Sequence, residues 1–135
     1  MQKDLNLIDA NIFLRYLTWD VPPMAERCKG LFKRLEFGQE EARVLDITIA
    51  EVVWTLQKFF SLEKKRIGEI LKPIINFKGL KTENKEALIN ALTVYADSDV
   101  DFPDAYLSEI SKRVKTKVYS YDRDIDSLGA ERIEP

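Results

Sequence analysis

Apolar residues in this chain fall in short blocks whose spacing alternates between strand-like runs and helical stripes. Residues 5–9 read as a short buried strand, and residues 10–17 as the helical turns that follow it. Trp19-Asp20-Val21-Pro22 breaks that helix. Pro23 suits the first position of a second one, running to about Phe37 and closed by Gly38. Residues 43–47 read as a second buried strand. Thr48 then caps a helix whose Ile49, Val52, Val53, Leu56, Phe59 and Phe60 follow helical spacing. Residues 61–64 open another helix, striped by Ile67, Ile70, Leu71 and Ile74, with Pro73 kinking it near its end. An extended piece at 79–81 leads to a helix over 83–95, striped by Leu88, Ala91, Leu92 and Tyr95. Asp101-Phe102-Pro103-Asp104 opens a further helix to about Val114, residues 117–121 are rich in β-formers, and 132–133 make a last short strand.

Strands alternating with helices, with no hairpin signal between them, predict an α/β fold: a mainly parallel central sheet of 4–5 short strands flanked by helices. Right-handed crossovers line up the carboxyl ends of such strands along one edge, outside which ligands bind. No repeat, linker or low-complexity tract divides the chain, so residues 1–135 are expected to form a single domain.

Composition narrows the chemistry. Of 135 residues, 45% are hydrophobic and 33% charged, which is ordinary for a soluble domain. There is no apolar run of membrane-spanning length, and MQKDLNLIDA lacks the apolar core of a secretory signal, so a cytoplasmic protein with no membrane partner is expected. The single cysteine, Cys28, excludes an internal disulfide and any multi-cysteine zinc site. Histidine is absent, which removes Ser-His-Asp triads, Cys-His pairs and every histidine-ligated metal. A net charge of −2 argues against a uniformly basic nucleic-acid binder, although an acidic cluster beside a basic stripe gives the same total.

Carboxylates are therefore the leading candidates to carry chemistry. Asp9, Glu51, Asp104 and Asp122 each stand where an apolar segment meets a turn or helix start. Clustered carboxylates repel unless protons or a hard divalent cation neutralise them, so Mg²⁺ or Mn²⁺ acting on a phosphodiester is the leading chemistry. Each acid also has a plain structural explanation. Thr48-Ile49-Ala50-Glu51 reads as a capping box, and Asp101 reads as an N-cap with Asp104 in the first turn, favoured by the helix dipole. Asp9 could cap the following helix, and Asp122 could start the Arg123-Asp124 turn. Asp9 sits in a strand-like run, where an acid is costly without a partner, and Asn11 and Ser120 lie two residues from Asp9 and Asp122.

The order of these segments resembles a known family. Leu7-Ile8-Asp9-Ala10-Asn11-Ile12-Phe13-Leu14-Arg15-Tyr16-Leu17 resembles the opening of PIN-domain nucleases, VapC-type toxin ribonucleases above all. Ala50-Glu51-Val52-Val53-Trp54 resembles their second motif, and Val100-Asp101-Phe102-Pro103-Asp104-Ala105-Tyr106-Leu107 their third. Val118-Tyr119-Ser120-Tyr121-Asp122-Arg123-Asp124 resembles their fourth, with Ser120 where Thr is commoner and Ile125 where Phe is frequent. The resemblance covers the whole chain, in the family's order, with no acid of the usual quartet missing.

The resemblance implies metal-dependent hydrolysis of RNA by an external water, leaving 5′-phosphate and 3′-hydroxyl ends. Asp9, Asp104 and Asp122 would hold one or two Mg²⁺ or Mn²⁺ ions, and Glu51 would hold a second ion or orient the water. Asn11, Ser120 and Asp101 would fix the geometry of the carboxylates. Arg15 and Lys58 are candidate phosphate contacts, with Lys64, Lys65 and Arg66 behind them. The family also implies a homodimer silenced by a cognate antitoxin protein. Trp19, Trp54, Phe59 and Phe60 are expected mostly in the core, and any that are exposed would offer such partners a surface. Two other readings stay open: a PIN nuclease of RNA processing, and a non-catalytic α/β binding module whose acids cap helices.

Overall fold

Seven helices and four two-residue strands alternate along residues 4–135, the part of the chain that the structure, a computed structural model, describes. Helix α1 (Ala10–Thr18) buries Ala10, Phe13 and Leu14 and ends at Trp19, whose left-handed backbone turns its N–H back to the Arg15 carbonyl. Helix α2 (Pro22–Glu36) opens on two prolines, where a missing N–H leaves no bond unmade. Its Phe32 packs edge-on to Phe13 at 5.1 Å and stacks on Tyr16 at 4.6 Å, locking α2 against α1.

Strand β1 (Ala42–Arg43) pairs in parallel with β2 (Leu80–Lys81), and Leu7 bridges Arg43, also in parallel. Between the strands run α3 (Asp46–Lys58) and α4 (Lys64–Ile75). After β2 come α5 (Lys85–Asp97) and α6 (Phe102–Val114). Strand β3 (Val118–Tyr119), the short helix α7 (Asp124–Ser127) and β4 (Arg132–Ile133) close the chain, β3 and β4 again pairing in parallel. All the pairing is parallel, as the alternation of elements predicts, and the ladders are short. One core joins Ile8, Ala10 and Phe13 to Val52, Leu92, Phe102 and Ala105, and a smaller cluster of Val118, Ile125 and Ala130 lies under β3 and α7.

The β1–β2 pair depends on a glycine. A Cβ at Gly79 would lie 2.0 Å from the Glu40 carbonyl oxygen and 3.0 Å from that of Leu35. Both are main-chain atoms, so no side-chain rotation relieves the clash. The close approach lets the Gly79 N–H donate to Leu35 O at 2.7 Å and the Ala42 N–H donate to Gly79 O at 3.0 Å.

Four expectations need correction. Residues 46 and 47 belong to a helix, not a strand, because α3 begins at Asp46, whose charge suits a first turn. Thr48 is accordingly inside α3 and is not its cap, and Glu51 falls in the second turn, where no capping box forms. Trp19, Trp54, Phe59 and Phe60 are all exposed, Trp54 by 58% and Phe59 by 78%. The buried stripe of α3 is Ile49, Val52, Val53 and Leu56; Trp54 lies off it, and both phenylalanines follow the helix end. Helix α7 has no counterpart in the sequence reading, since four residues are too few to show a period.

Candidate active site

Asp9 occupies the N-cap position of α1 with the extended backbone a cap requires, yet its side chain makes no capping bond. Asp101 stands in the same relation to α6, and Asp104 follows in that helix's first turn. Asn84, by contrast, caps α5 as such residues normally do, its Oδ1 accepting the Ala87 N–H at 3.1 Å. The carboxylates of Asp9 and Asp101 are thus left free at helix starts, on an exposed surface. Glu51 is likewise exposed, on α3.

The third and fourth motifs meet in space. Asp104 is partly buried, and its carboxyl is held above the ordinary range by that burial and then by the negative charges of Asp122, Asp101 and Asp124. Asp122 is set by its own turn: its N–H donates to Ser120 Oγ at 2.9 Å, and its Oδ1 accepts the Asp124 N–H at 2.9 Å. Ser120 is fixed in turn by β4. Its N–H donates to Ile133 O at 3.1 Å, and its carbonyl accepts from Arg132 Nη1 at 3.0 Å.

Asp9 and Asp104 each precede an alanine, Ala10 and Ala105, that is buried in the one large core. Helix α3, which carries Glu51, packs against both α1 and α6. These contacts place α1, α3 and α6 on one core, and they do not bring the carboxylates of Asp9 and Glu51 to the Asp104 group. Among the described residues, no three acidic or cysteine side chains form a group placed to hold an ion as they stand. The donors do fit a hard ion: all are oxygen, no soft ligand competes, and the like-charge pressure on Asp104 is what a cation relieves.

The basic candidates divide. Arg15 Nη1 donates to Asp20 at 2.8 Å in an exposed ion pair. It lines, with Asn11, Met24, Arg27 and Leu31, a groove of about 480 Å³ between α1 and α2. Arg27, which the sequence reading passed over, brings a second cation to that groove. Lys58 shares a small cleft with Trp54, Gln57 and Asp101, which puts an ammonium beside the start of α6. Lys64 faces inward: its Nζ donates to Ser98 O and Val100 O, both at 2.7 Å, so it is not a free phosphate contact.

Asp124 and Arg132 contribute to the site beyond the sequence expectation, and Asp46 stands apart from it. The two-residue spacing from Asp122 was a legible signal for Asp124. Asp46 was hidden inside a misread strand; its Oδ2 accepts from the Tyr106 hydroxyl, while its buried Oδ1 has no partner. No local pattern could have shown that Arg132 grips Ser120 from twelve residues away.

The sequence profile of the family described as PIN domain matches residues 7–131. A VapC ribonuclease of Aquifex aeolicus (strain VF5) is 25% identical over 132 residues, 97% of this chain and 97% of that protein.

Proposed function

The chain belongs to the PIN domain family, and we propose that it is a Mg²⁺- or Mn²⁺-dependent endoribonuclease, the toxin of a toxin–antitoxin pair. End-to-end similarity to a VapC ribonuclease supports the substrate class and the toxin role. The observation that carries the catalytic reading is the acidic group around Asp104, whose carboxyl is raised by burial and then by the charges of Asp122, Asp101 and Asp124. Repulsion of this kind disfavours the folded state, and a bound divalent cation would relieve it.

Asp9, Asp104 and Asp122 would hold one or two ions, with Glu51 holding a second or orienting the attacking water. When bound, such an ion makes water a stronger nucleophile at neutral pH and offsets charge on the leaving oxygen. The protein's own part is placement. Ser120 and the Asp124 amide aim the Asp122 carboxylate, and the α6 N-terminus presents Asp104. Asn11 and Asp101 flank the acids and would steady them. Lys58 and the α1–α2 groove with Arg15 would receive phosphates, Arg15 exchanging Asp20 for one. Attack by water leaves 5′-phosphate and 3′-hydroxyl ends.

Residues 1–135 act in this reading as one nuclease domain, cytoplasmic and homodimeric, held silent by a cognate antitoxin. Exposed Trp54, Phe59, Ile47 and Leu107 are apolar surface for such partners. Among the described residues, no helix is long and apolar enough to cross a membrane.

The test is cleavage of end-labelled RNA with Mn²⁺, Mg²⁺ or EDTA beside Asp104→Asn. Metal-dependent cleavage that vanishes in the variant is expected, with 5′-phosphate products. Equal cleavage by the variant would remove the site, and no cleavage by folded, partner-free protein would favour a binding module.

A further inference from the structure

We propose that Lys64 is a positioning residue for this site: from α4 it clasps the turn between α5 and α6 and so fixes where Asp101 and Asp104 stand. The proposal rests on the nuclease reading above only for its effect on activity. Lys64 Nζ donates to the carbonyls of Ser98 and Val100, each at 2.7 Å, and lies 4.5 Å over the Tyr95 ring. One ammonium thus meets two carbonyls on the segment that leads from α5 to α6 and a ring in the last turn of α5.

Each end of that segment needs such a contact. Ser98 is the C-cap of α5, and the last turn of α5 contains no basic residue of its own. The Ser98 hydroxyl donates to Val94 O at 2.6 Å, and the Ser98 carbonyl, at the negative end of the dipole, meets a lysine from another helix. At the other end, Asp101 occupies the N-cap of α6 without making a capping bond, so α6 is not anchored by its own cap. Val100 and Phe102 are buried on either side of Asp101, and Phe102 packs on Tyr95 at 6.1 Å. Tyr95 is pinned by its hydroxyl, which donates to Gln57 Oε1 on α3 at 2.6 Å.

Partial burial lowers the basicity of Lys64, while Asp101 and Asp99 act in the opposite sense. The lysine therefore lies within electrostatic reach of the acidic cluster without being one of its ligands. Arg66, two residues on, is paired with Glu69 on the exposed side of α4, so the inward turn belongs to Lys64 in particular.

The experiment compares Lys64→Met and Lys64→Arg with the native chain by amide hydrogen exchange and by cleavage of RNA across a Mn²⁺ titration. K64M should speed exchange over residues 105–108, the first hydrogen-bonded amides of α6, roughly tenfold or more, while α1 and α2 keep native protection. It should raise the Mn²⁺ needed for half-maximal cleavage roughly tenfold and leave KM for RNA unchanged. Arginine, which can also donate to two carbonyls and lie over a ring, should restore both. Should K64M not fold, Lys64→Gln is read in its place. Native exchange over 105–108 in a folded variant overturns the proposal. So does a raised KM at an unchanged Mn²⁺ midpoint, which would mark Lys64 as a phosphate contact. If the native chain cleaves no better than D104N, the nuclease reading falls, and the exchange data alone decide the clasp.

Discussion

Replacing Asp104 by asparagine should make the protein more stable in the absence of metal while abolishing its cleavage of RNA. Three like charges, on Asp122, Asp101 and Asp124, act on the Asp104 carboxylate together with its partial burial. At roughly 0.2–0.5 kcal/mol for each like-charge neighbour, the repulsion sums to about 1 kcal/mol. The first-turn position in α6 works the other way, the helix dipole favouring the charge by roughly 0.3–1 kcal/mol. Desolvation joins the repulsion, and solvent screening weakens both sides. The net expectation is a gain of about 0.5 kcal/mol for D104N, or about 2 °C in Tm for a domain of this size.

The sign against pH follows from the direction of the shift. Asp104 is raised in the folded state, so the favourable contribution of its protonated form is fully present below about pH 4 and is lost as pH rises through the raised value. The advantage of D104N should accordingly be absent in acid, open as Asp104 ionises, and stay level through neutral pH. Thermal unfolding of both proteins in EDTA across that range measures it. Saturating Mn²⁺ should then reverse the order. An ion at a hundred times its Kd stabilises the native site by about 2.7 kcal/mol, and the variant should gain less. If D104N is instead the less stable protein in EDTA at neutral pH, the dipole outweighs the cluster. Asp104 is then a structural first-turn acid, and the metal reading loses its main support.

Two further substitutions test the surrounding structure. Gly79→Ala drives a methyl to 2.0 Å from the Glu40 carbonyl oxygen and disrupts the bonds that hold β1 to β2. A loss of about 3 kcal/mol is expected in urea unfolding, and a loss under about 0.5 kcal/mol would disprove the close approach. Asp46 is raised first by burial, against the lowering effect of the Tyr106 hydroxyl, so its favourable contribution is lost as pH climbs through its folded value. Asp46→Asn should remove that part of the pH dependence of Tm, and parallel profiles for the two proteins would rule it out.

Much of the fold was legible because helical stripes survive local error. Leu88, Ala91, Leu92 and Tyr95 placed α5, and Pro22–Pro23 with Gly38 bracketed α2. The sheet was less legible. A two-residue strand such as Ala42–Arg43 has no period to read, so the apolar run beyond it was extended across the true start of α3. The aromatic residues failed for another reason: composition reports that Trp54 and Phe59 are apolar, whereas only the helix phase shows that they lie away from the core. The acids of the third and fourth motifs do come together. The inward turn of Lys64 depends on backbone carbonyls 34 and 36 residues away, which no local pattern encodes.

The caps separate the structural and chemical readings of the acids. A residue kept for helix stability should make its capping bond, worth about 1 kcal/mol, as Asn84 does on α5. Asp9 and Asp101 have the position and the extended backbone but forgo the bond. Glu51 is excluded from a capping box because α3 starts two residues before Thr48. Asp122 alone is in a turn bond, and that bond takes Oδ1. If capping explained the set, each missing bond would be a loss of stability with no counterpart. Under the cation reading the free oxygens of Asp9 are ligands, Asp101 flanks them, and the repulsion around Asp104 favours binding. Asp9→Asn should then leave Tm in EDTA nearly unchanged, within about 0.5 kcal/mol, while sharply weakening Mn²⁺-induced stabilisation. A full capping loss in EDTA with native metal response would return Asp9 to the structural reading.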